Sequence, residues 1–492
     1  MRVNAWALLA LPALVVLGFF YAYPIVEILR RSLTDFQAPQ VGGLDNYRWF
    51  FDTSVNVTVL KRTFSTAAVV TAITIAVGFP YAYLMTLVGR RTRLLMLALV
   101  LVPFWTSLMV RNYAWIVLLE PNGPINSVLH HVGLGRVELL GTIRGVVIGM
   151  SQVLLPFVVL PIYARLRTID RRLVLAAQSL GAPPWRAFLR VYVPLSLPGL
   201  LAGALLAFVL ALGFYITPVL LGSSQQTLIS PLIVTQISEL LNWGRAGAMG
   251  AVLLLSTLLL LAVVSLASRH LVRRTEGSDV ADGVALAEPP KRRSVGRLAL
   301  GAWCSLVGIW LLAPTLVVIP LSFTGTKTFA FPPRSWSTQW WNELIDNPEW
   351  RDALVHSFEI AIVVALLATL LGTAAALALT RGRFPGSGIV NGLFLSPLII
   401  PVVVSAVGIY AVFIGWRLTG TFWGFVLAHT VIATPFAIVP TVATLRAFDR
   451  RLEAAAASLG AGPVTTFARV TLPLILPSVL AGALFAFAAS LD

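Results

Sequence analysis

Apolar runs of span length recur along the whole chain, and they constrain its fold more than any other feature. A helix of about 20 apolar residues crosses the hydrocarbon core of a bilayer, where every backbone polar group must be bonded within the protein. The runs predict eleven spans: 5–29, 64–88, 94–119, 142–164, 196–221, 246–268, 298–322, 355–379, 388–415, 421–443 and one that starts near 475. We therefore expect an all-α polytopic membrane protein.

The composition excludes two other classes of protein. Only 11% of the 492 residues are charged and 58% are hydrophobic, whereas a soluble globular chain carries about 25% charged residues. A disordered chain would be polar and rich in charge, and a soluble enzyme of this size would need more polar surface. The net charge of +16 comes from sparse basic residues between apolar runs, which indicates a membrane protein with no nucleic-acid partner.

The basic residues predict the orientation of the spans. Cytoplasmic segments of membrane proteins carry an excess of Lys and Arg. If the N-terminus lies inside, 23 of the 36 basic residues fall in cytoplasmic segments with seven acidic residues, so that the whole net charge of +16 lies on that side. We predict a multi-pass protein of the bacterial cytoplasmic (inner) membrane with its N-terminus in the cytoplasm.

Signatures of catalysis and metal binding are missing from the sequence. None of the three lysines follows a glycine, so the chain lacks the Gly-Lys-Ser/Thr of a phosphate-binding loop. The five histidines show no metal-ligand spacing, and the single Cys304 forms no disulfide within the chain. We expect neither enzymatic activity nor a bound cofactor or metal in this chain.

An internal repeat organises the sequence. Segment 166–205 aligns with 445–484 at a constant offset of 279 without a gap, and 25 of the 40 pairs are identical. Six predicted spans separate the copies, so both face the same side of the membrane and the halves are parallel repeats. In each copy an alanine-rich stretch favours a short helix. Gly181 or Gly460 can end that helix in a left-handed turn.

At these residues the chain resembles the permease subunits of type I ATP-binding-cassette importers. Their cytoplasmic loop has the pattern Glu-Ala-Ala, three residues, Gly, nine residues, Ile-x-Leu-Pro; here Gly181 lies 13 positions before Pro194, as the pattern requires. The chain departs at the Glu position, which holds Leu175 in the first copy and Ala454 in the second, with Glu453 one residue early.

Other stretches are similar to spermidine/putrescine-type importers in particular. Residues 43–47 and 103–115 look like the first permease of such systems, and 331–333, 340–341 and 378–384 like the second. The resemblance therefore implies two permeases fused in one chain. Residues 1–274 form the first repeat with its loop at 165–195, 275–297 a cytoplasmic linker, and 298–492 the second repeat with its loop at 444–474. By the repeat, the second half is truncated within its fifth span.

The resemblance also implies partners. A binding protein outside the cytoplasm delivers a small solute, a polyamine or related organic cation, and a homodimeric ATPase carries ATP and Mg²⁺ and grips the two loops. Membrane lipid surrounds the spans. The ATPase-coupling residues are Asp170, Arg171, Arg172, Ala176, Ala177, Gly181, Ala182, Asp449, Arg450, Arg451, Ala455, Ala456, Gly460 and Ala461.

Ionisable and aromatic residues within spans suggest a substrate pathway. An ionisable side chain inside a membrane is energetically costly, so each such residue is a candidate for a functional role. Asp492 could pair with an amine of the solute. Aromatic rings could hold a cation, although they are also common at membrane interfaces. Glu120 could line the outer gate or be solvated. The candidates are Asp492, Trp105, Arg111, Tyr113, Trp115, Glu120 and Tyr215.

Two other functions stay open on the residues alone. A secondary transporter driven by an ion gradient would share two parallel repeats of six spans, although it has no need of duplicated loops for an external motor. An intramembrane enzyme is disfavoured because neither an HExxH nor a G-x-S-x-G pattern occurs. Dependence of transport on ATP and a binding protein separates the importer from the first alternative.

Overall fold

The computed structural model describes residues 5–37, 41–272, 295–328 and 330–491. Asp492 and most of the predicted linker 275–297 lie outside these residues. The first half of the sequence forms twelve helices within the described part: α1 Trp6–Thr34, α2 Asp45–Asp52, α3 Ser54–Leu87, α4 Arg90–Leu101, α5 Leu108–Leu119, α6 Pro124–His131, α7 Ile143–Leu166, α8 Arg171–Ser179, α9 Pro184–Leu212, α10 Ile216–Leu221, α11 Ile229–Ser238 and α12 Trp243–Val272.

The second half repeats most of this order. Its helices are α13 Val295–Leu321, α14 Gln339–Asp346, α15 Pro348–Arg381, α16 Ser387–Ile399, α17 Val402–Gly415, α18 Phe422–Ala447, α19 Arg451–Ser458 and α20 Pro463–Leu491. Among the described residues, nine helices are long and apolar enough to cross a membrane, and the number is ten if the bent pair α16 and α17 counts as one span. The predicted all-α membrane fold is confirmed.

Three predicted spans are broken where one continuous helix was expected. The span 94–119 is divided into α4 and α5 by a 3₁₀ turn at Val102–Trp105, and the span 388–415 bends by 100° between α16 and α17. Pro103 and Pro401 lie at these breaks, where a proline removes a backbone donor and clashes with the preceding turn. The span 196–221 ends at Leu212, and α10 starts only after a three-residue break.

The chain folds into two compact units that group it differently from the sequence halves. Of the described residues, unit one contains those within 1–46, 242–248 and 341–492, and unit two those within 47–241 and 249–340. The first span of each half is therefore a member of the unit built mainly from the other half. In unit one, α1 packs closely against α17, where a Cβ added to Gly408 would lie 2.8 Å from the carbonyl oxygen of Pro24.

Each unit is built on three helices that cross at small residues. In unit two, α3, α7 and α9 meet where Gly78 and Gly203 approach Val158. In unit one, α15, α18 and α20 meet where Gly372 and Gly482 approach Ala437. The glycines occupy equivalent places in the two halves, because α15 starts and ends 294 residues after α3 and α20 lies 279 residues after α9. The repeated sequence thus specifies the same three-helix packing twice.

We predict that Gly482→Val destabilises the fold, because a Cβ at this position would lie 2.9 Å from the Cα of Ala437. The two helices would have to separate, and overpacking of this kind costs about 1–3 kcal/mol. Thermal unfolding of the purified protein in detergent measures the effect. The control is Gly301→Val, since no atom lies within 4 Å of a Cβ there. Equal melting temperatures for the two variants would contradict the predicted crossing.

Candidate functional site

The repeated loop forms a short helix with an aspartate close to its start in both halves. The Asp170 carboxylate accepts a hydrogen bond of 2.8 Å from the backbone N–H of Arg172 at the start of α8. Asp449 accepts the equivalent bond of 2.9 Å from Arg451 at the start of α19. A carboxylate at an N-cap accepts a hydrogen bond from an otherwise unpaired backbone amide, and its negative charge interacts favourably with the helix dipole. Asp170 is the N-cap of α8, whereas α19 begins one repeat position later, after Arg450.

Glycine ends both loop helices. Gly181 has φ +89° and Gly460 has φ +86°, in the left-handed region that favours glycine. The N–H of Ala182 donates to the carbonyl of Ala177 at 3.0 Å, and that of Ala461 donates to Ala456 at 3.1 Å. These bonds close the same C-terminal motif twice, as the sequence predicted.

The loop helices present apolar side chains to their surroundings. No residue of α8 or α19 is buried. The leucine before each glycine is almost fully exposed, at 89% for Leu180 and 87% for Leu459. Leu175, Trp185 and Val464 are exposed as well. Ala176 and Ala455 are exposed, and Ala177, Ala182, Ala456 and Ala461 are half-buried. The two loops therefore expose apolar side chains at equivalent repeat positions.

An arginine joins each loop helix to a spanning helix. In unit two, a guanidinium nitrogen of Arg171 donates to the backbone carbonyl of Thr86 in the last turn of α3. In unit one, Arg450 donates to the carbonyl of Thr380, near the end of α15, at 2.7 Å. The two arginines lie 279 residues apart, the offset between the two copies of the loop. The two threonines lie 294 residues apart, the offset between α3 and α15. The contact is therefore made twice at equivalent positions.

The other contacts between the loop region and the spanning helix differ between the two halves. In unit two the ring of Tyr83 on α3 lies 5.4 Å from that of Phe188 and 5.3 Å from that of Tyr192, both just after the loop helix. Aromatic contacts of this geometry stabilise packing beyond the area they bury. Thr471 occupies the place of Tyr192 in the second half, so the aromatic cluster is not repeated there.

In unit one a charged pair takes the place of the aromatic cluster. Arg381 at the end of α15 donates to the Glu453 carboxylate at 2.9 Å, and the hydroxyl of Thr471 donates to the same oxygen at 2.8 Å. The Arg381 side chain is only 6% exposed and that of Glu453 is 27% exposed. The first half has Leu87 and Val174 at the two charged positions.

The candidate pathway residues do not form one cluster. On α5, Arg111 is 4% exposed and Trp115 is 1% exposed, one turn apart on the face that packs into unit two. Trp115 approaches Gly149 of α7, where a Cβ would lie 3.9 Å from its indole ring. Tyr113 and Trp105 are exposed by 44% and 54%. The structure therefore separates the two buried candidates from the two exposed ones.

The remaining candidates mark breaks in the spans. Glu120 follows the last residue of α5, where its backbone N–H donates to Ile116, and its side chain is partly buried. Tyr215 precedes α10 and is also partly buried. Asp492 lies outside the described residues, so its place in a pathway stays a prediction.

Sequence reasoning missed several uncharged polar residues buried within unit two. The side-chain oxygens of Asn112, Gln152 and Thr217 are buried and accept no hydrogen bond within the described part of the chain. The indole N–H of Trp115 has no acceptor there either. A polar atom inside a membrane is costly when unbonded. These residues carried no sequence signal because isolated Asn, Gln and Thr are common in apolar runs.

Comparison with known families identifies the class of protein. A family described as "Binding-protein-dependent transport system inner membrane component" matches residues 78–277 and 368–492. These two stretches cover more than half of the chain. The chain belongs to this family. Because the family matches once in each half, the prediction of two fused permease halves is confirmed. The chain is a multi-pass membrane transport component.

Curated relatives narrow the resemblance. The chain is 33% identical over 255 residues to the spermidine/putrescine transport system permease protein PotB of Haemophilus influenzae. The aligned region covers 51% of this chain and 88% of the relative. The chain is 31% identical over 198 residues to the permease protein PotC of the same kind of system in Escherichia coli, covering 40% and 75%. A solved bacterial ABC transporter for the polysaccharide alginate aligns at 20% identity and a TM-score of 0.43 over 54% of this chain and 93% of that chain.

Proposed function

We propose that the chain carries both permease domains of an ATP-driven importer for polyamines or a related organic cation. The supporting observation is that one chain is similar to both the PotB and the PotC kinds of spermidine/putrescine permease. In a system of this kind an extracytoplasmic binding protein delivers the solute, and the spans carry it to the cytoplasm.

The proposed orientation places both repeated loops and the N-terminus in the cytoplasm. It rests on the excess of basic residues in the inside segments, since such residues mark the cytoplasmic side. Arg171, Arg172, Arg450 and Arg451 belong to that excess and lie in or beside the loop helices. The same side would hold the ATPase.

We further propose that two copies of a separate ATPase subunit bind the loops, with ATP and Mg²⁺ on those partners. The exposed apolar surface around Leu180 and Leu459 supports this assignment. It occurs once in each half at the same repeat position, as a homodimeric partner requires. In the proposed mechanism, closure of the ATPase dimer moves the loop helices, and the loop helices move the spans.

The solute pathway is proposed to run past the buried polar residues of unit two. The oxygens of Asn112, Gln152 and Thr217 are hydrogen-bond acceptors without a negative charge. An ammonium group is a donor with three protons, so such oxygens suit a cationic amine. Asp492 would add a negative charge in the second half, and Asp492→Asn tests that role through polyamine uptake.

Thr217→Val is expected to lower polyamine uptake roughly tenfold, the effect of one lost hydrogen bond to a charged group. The hydroxyl of Thr217 is buried and accepts no bond within the described residues. The control is Thr257→Val, because the buried Thr257 hydroxyl bonds its own helix at Leu253. Uptake of labelled spermidine by cells that also express the ATPase and the binding protein gives the readout. Equal uptake by both variants would exclude Thr217 from the pathway.

Competition among solutes tests the substrate class. Unlabelled putrescine or spermidine should suppress uptake of the labelled polyamine, because the pathway acceptors recognise amines. Neutral sugars and anionic phosphonates should not suppress it. Absence of any polyamine uptake, with ATPase and binding protein present, would exclude the proposed substrate but leave the family assignment intact.

A further inference from the structure

One polar side-chain contact from loop to spanning helix recurs in both halves, namely an arginine that donates to a helix carbonyl. Arg171 bonds the carbonyl of Thr86, and Arg450 bonds that of Thr380. Around this bond the two loops differ, because one uses aromatic rings and the other a charged pair. The arginine bond is thus the shared part of two otherwise different attachments.

Helix ends explain why an arginine suits this place. The last carbonyls of an α-helix have no partner within the helix, and the dipole gives that end a partial negative charge. A guanidinium supplies several donors and a positive charge, so it bonds such a carbonyl more strongly than a neutral group does. Arg171 and Arg450 therefore hold the loop helix to the end of α3 or α15 by a charge-assisted bond.

We propose that Arg171 and Arg450 are positioning residues that transmit movement of the loop helices to α3 and α15. The proposal rests on the proposed function, because the movement would come from ATPase subunits bound to the loops. Each spanning helix is a member of the three-helix crossing of its unit, where Gly78 or Gly372 packs against α7 or α18. A pull on the end of α3 or α15 is thereby delivered to the core of the unit.

The proposal makes a distinct prediction for coupling. Without the arginine bond the ATPase still binds the exposed apolar surface, but its movement reaches the spans poorly. Transported solute per hydrolysed ATP should fall roughly tenfold in Arg171→Met/Arg450→Met, the effect of a lost charge-assisted hydrogen bond. Arg171→Lys/Arg450→Lys should recover much of the ratio, because an ammonium can still donate to the carbonyl.

The experiment uses the assembled complex of this chain with its ATPase and binding protein in proteoliposomes. ATP hydrolysis and spermidine uptake are measured on the same vesicles, and co-purified ATPase is quantified. Arg91→Met is the control, because Arg91 is exposed at the start of α4, close in sequence to Thr86. The expected result is full ATPase content, continued ATP hydrolysis and a lowered transport ratio in the methionine variant only.

Two results would overturn the proposal. An unchanged ratio of transport to hydrolysis would show that the arginines transmit nothing. Loss of the ATPase from both the methionine and the lysine variants would show that they are docking contacts. Failure of the unmodified complex to couple ATP to uptake would instead contradict the proposed function itself.

Discussion

Replacement of Gly181 and Gly460 together by arginine is expected to abolish co-purification of ATPase subunits with the chain. Both glycines lie beside the exposed leucines of the loop helices, and no atom lies within 4 Å of a Cβ at either position. A long charged side chain would therefore project into the surface that a partner must cover. A desolvated charge without a partner opposes binding strongly.

The matched control is Gly181→Ala/Gly460→Ala. Both pairs of variants force a side chain into the left-handed region, at a cost of about 1–2 kcal/mol per residue, so backbone strain is common to them. We expect the alanine variant to retain ATPase, because alanine adds neither bulk nor charge. ATPase binding that survives in the arginine variant, or that is lost equally in both, would contradict docking at this surface.

Glu453→Val is expected to loosen the second loop, because it leaves the buried Arg381 guanidinium without its carboxylate. Loss of one partner of a buried ion pair costs roughly 3 kcal/mol, and solvent at the partly exposed Glu453 lowers this to about 2 kcal/mol. Local opening should then be roughly 30-fold more frequent. The rate of tryptic cleavage within 444–474 measures that opening, since Arg450, Arg451 and Arg469 lie in the segment.

The double variant Arg381→Leu/Glu453→Val supplies the control, because it copies Leu87 and Val174 of the first half. It removes both charges at once, and replacement of a buried pair by apolar residues is often neutral. We expect its cleavage rate to return close to that of the unmodified chain. A double variant cleaved as fast as Glu453→Val would contradict the role of the pair.

The fold class and the loops were predictable because their signals are local. Span-length apolar runs, an alanine-rich stretch and a left-handed glycine each act within one helix. The 40-residue repeat added long-range information, since it fixed the same loop at 166–205 and 445–484. The family match in both halves and the paired φ values of Gly181 and Gly460 agree with that interpretation.

The breaks in the spans were not predictable from hydropathy. Residues 94–119 are mostly apolar on both sides of the break. Pro103 alone does not show that the chain will turn there, since α7 keeps Pro156 and Pro161 inside one helix. What differs is the tertiary context that bonds the freed backbone groups. Hydropathy also cannot show to which unit the first span of each half belongs, because α1 and α13 are similarly apolar.

The asymmetry of the site was only partly visible in sequence. The misplaced Glu453 was noted as a departure from the family pattern, but its bond to Arg381 depends on two elements 72 residues apart. Buried acceptors such as Thr217 were missed for the same reason, since only packing shows that a polar atom lacks a partner. The role of Asp492 stays a prediction.

The most direct test of the account is the energy source of transport in proteoliposomes. The chain is reconstituted with its ATPase inside and loaded binding protein outside, and labelled spermidine uptake is followed with ATP, without ATP, or with an ion gradient alone. The account predicts uptake only when ATP and binding protein are both present. Uptake driven by an ion gradient without ATP or binding protein would contradict it and identify a secondary transporter.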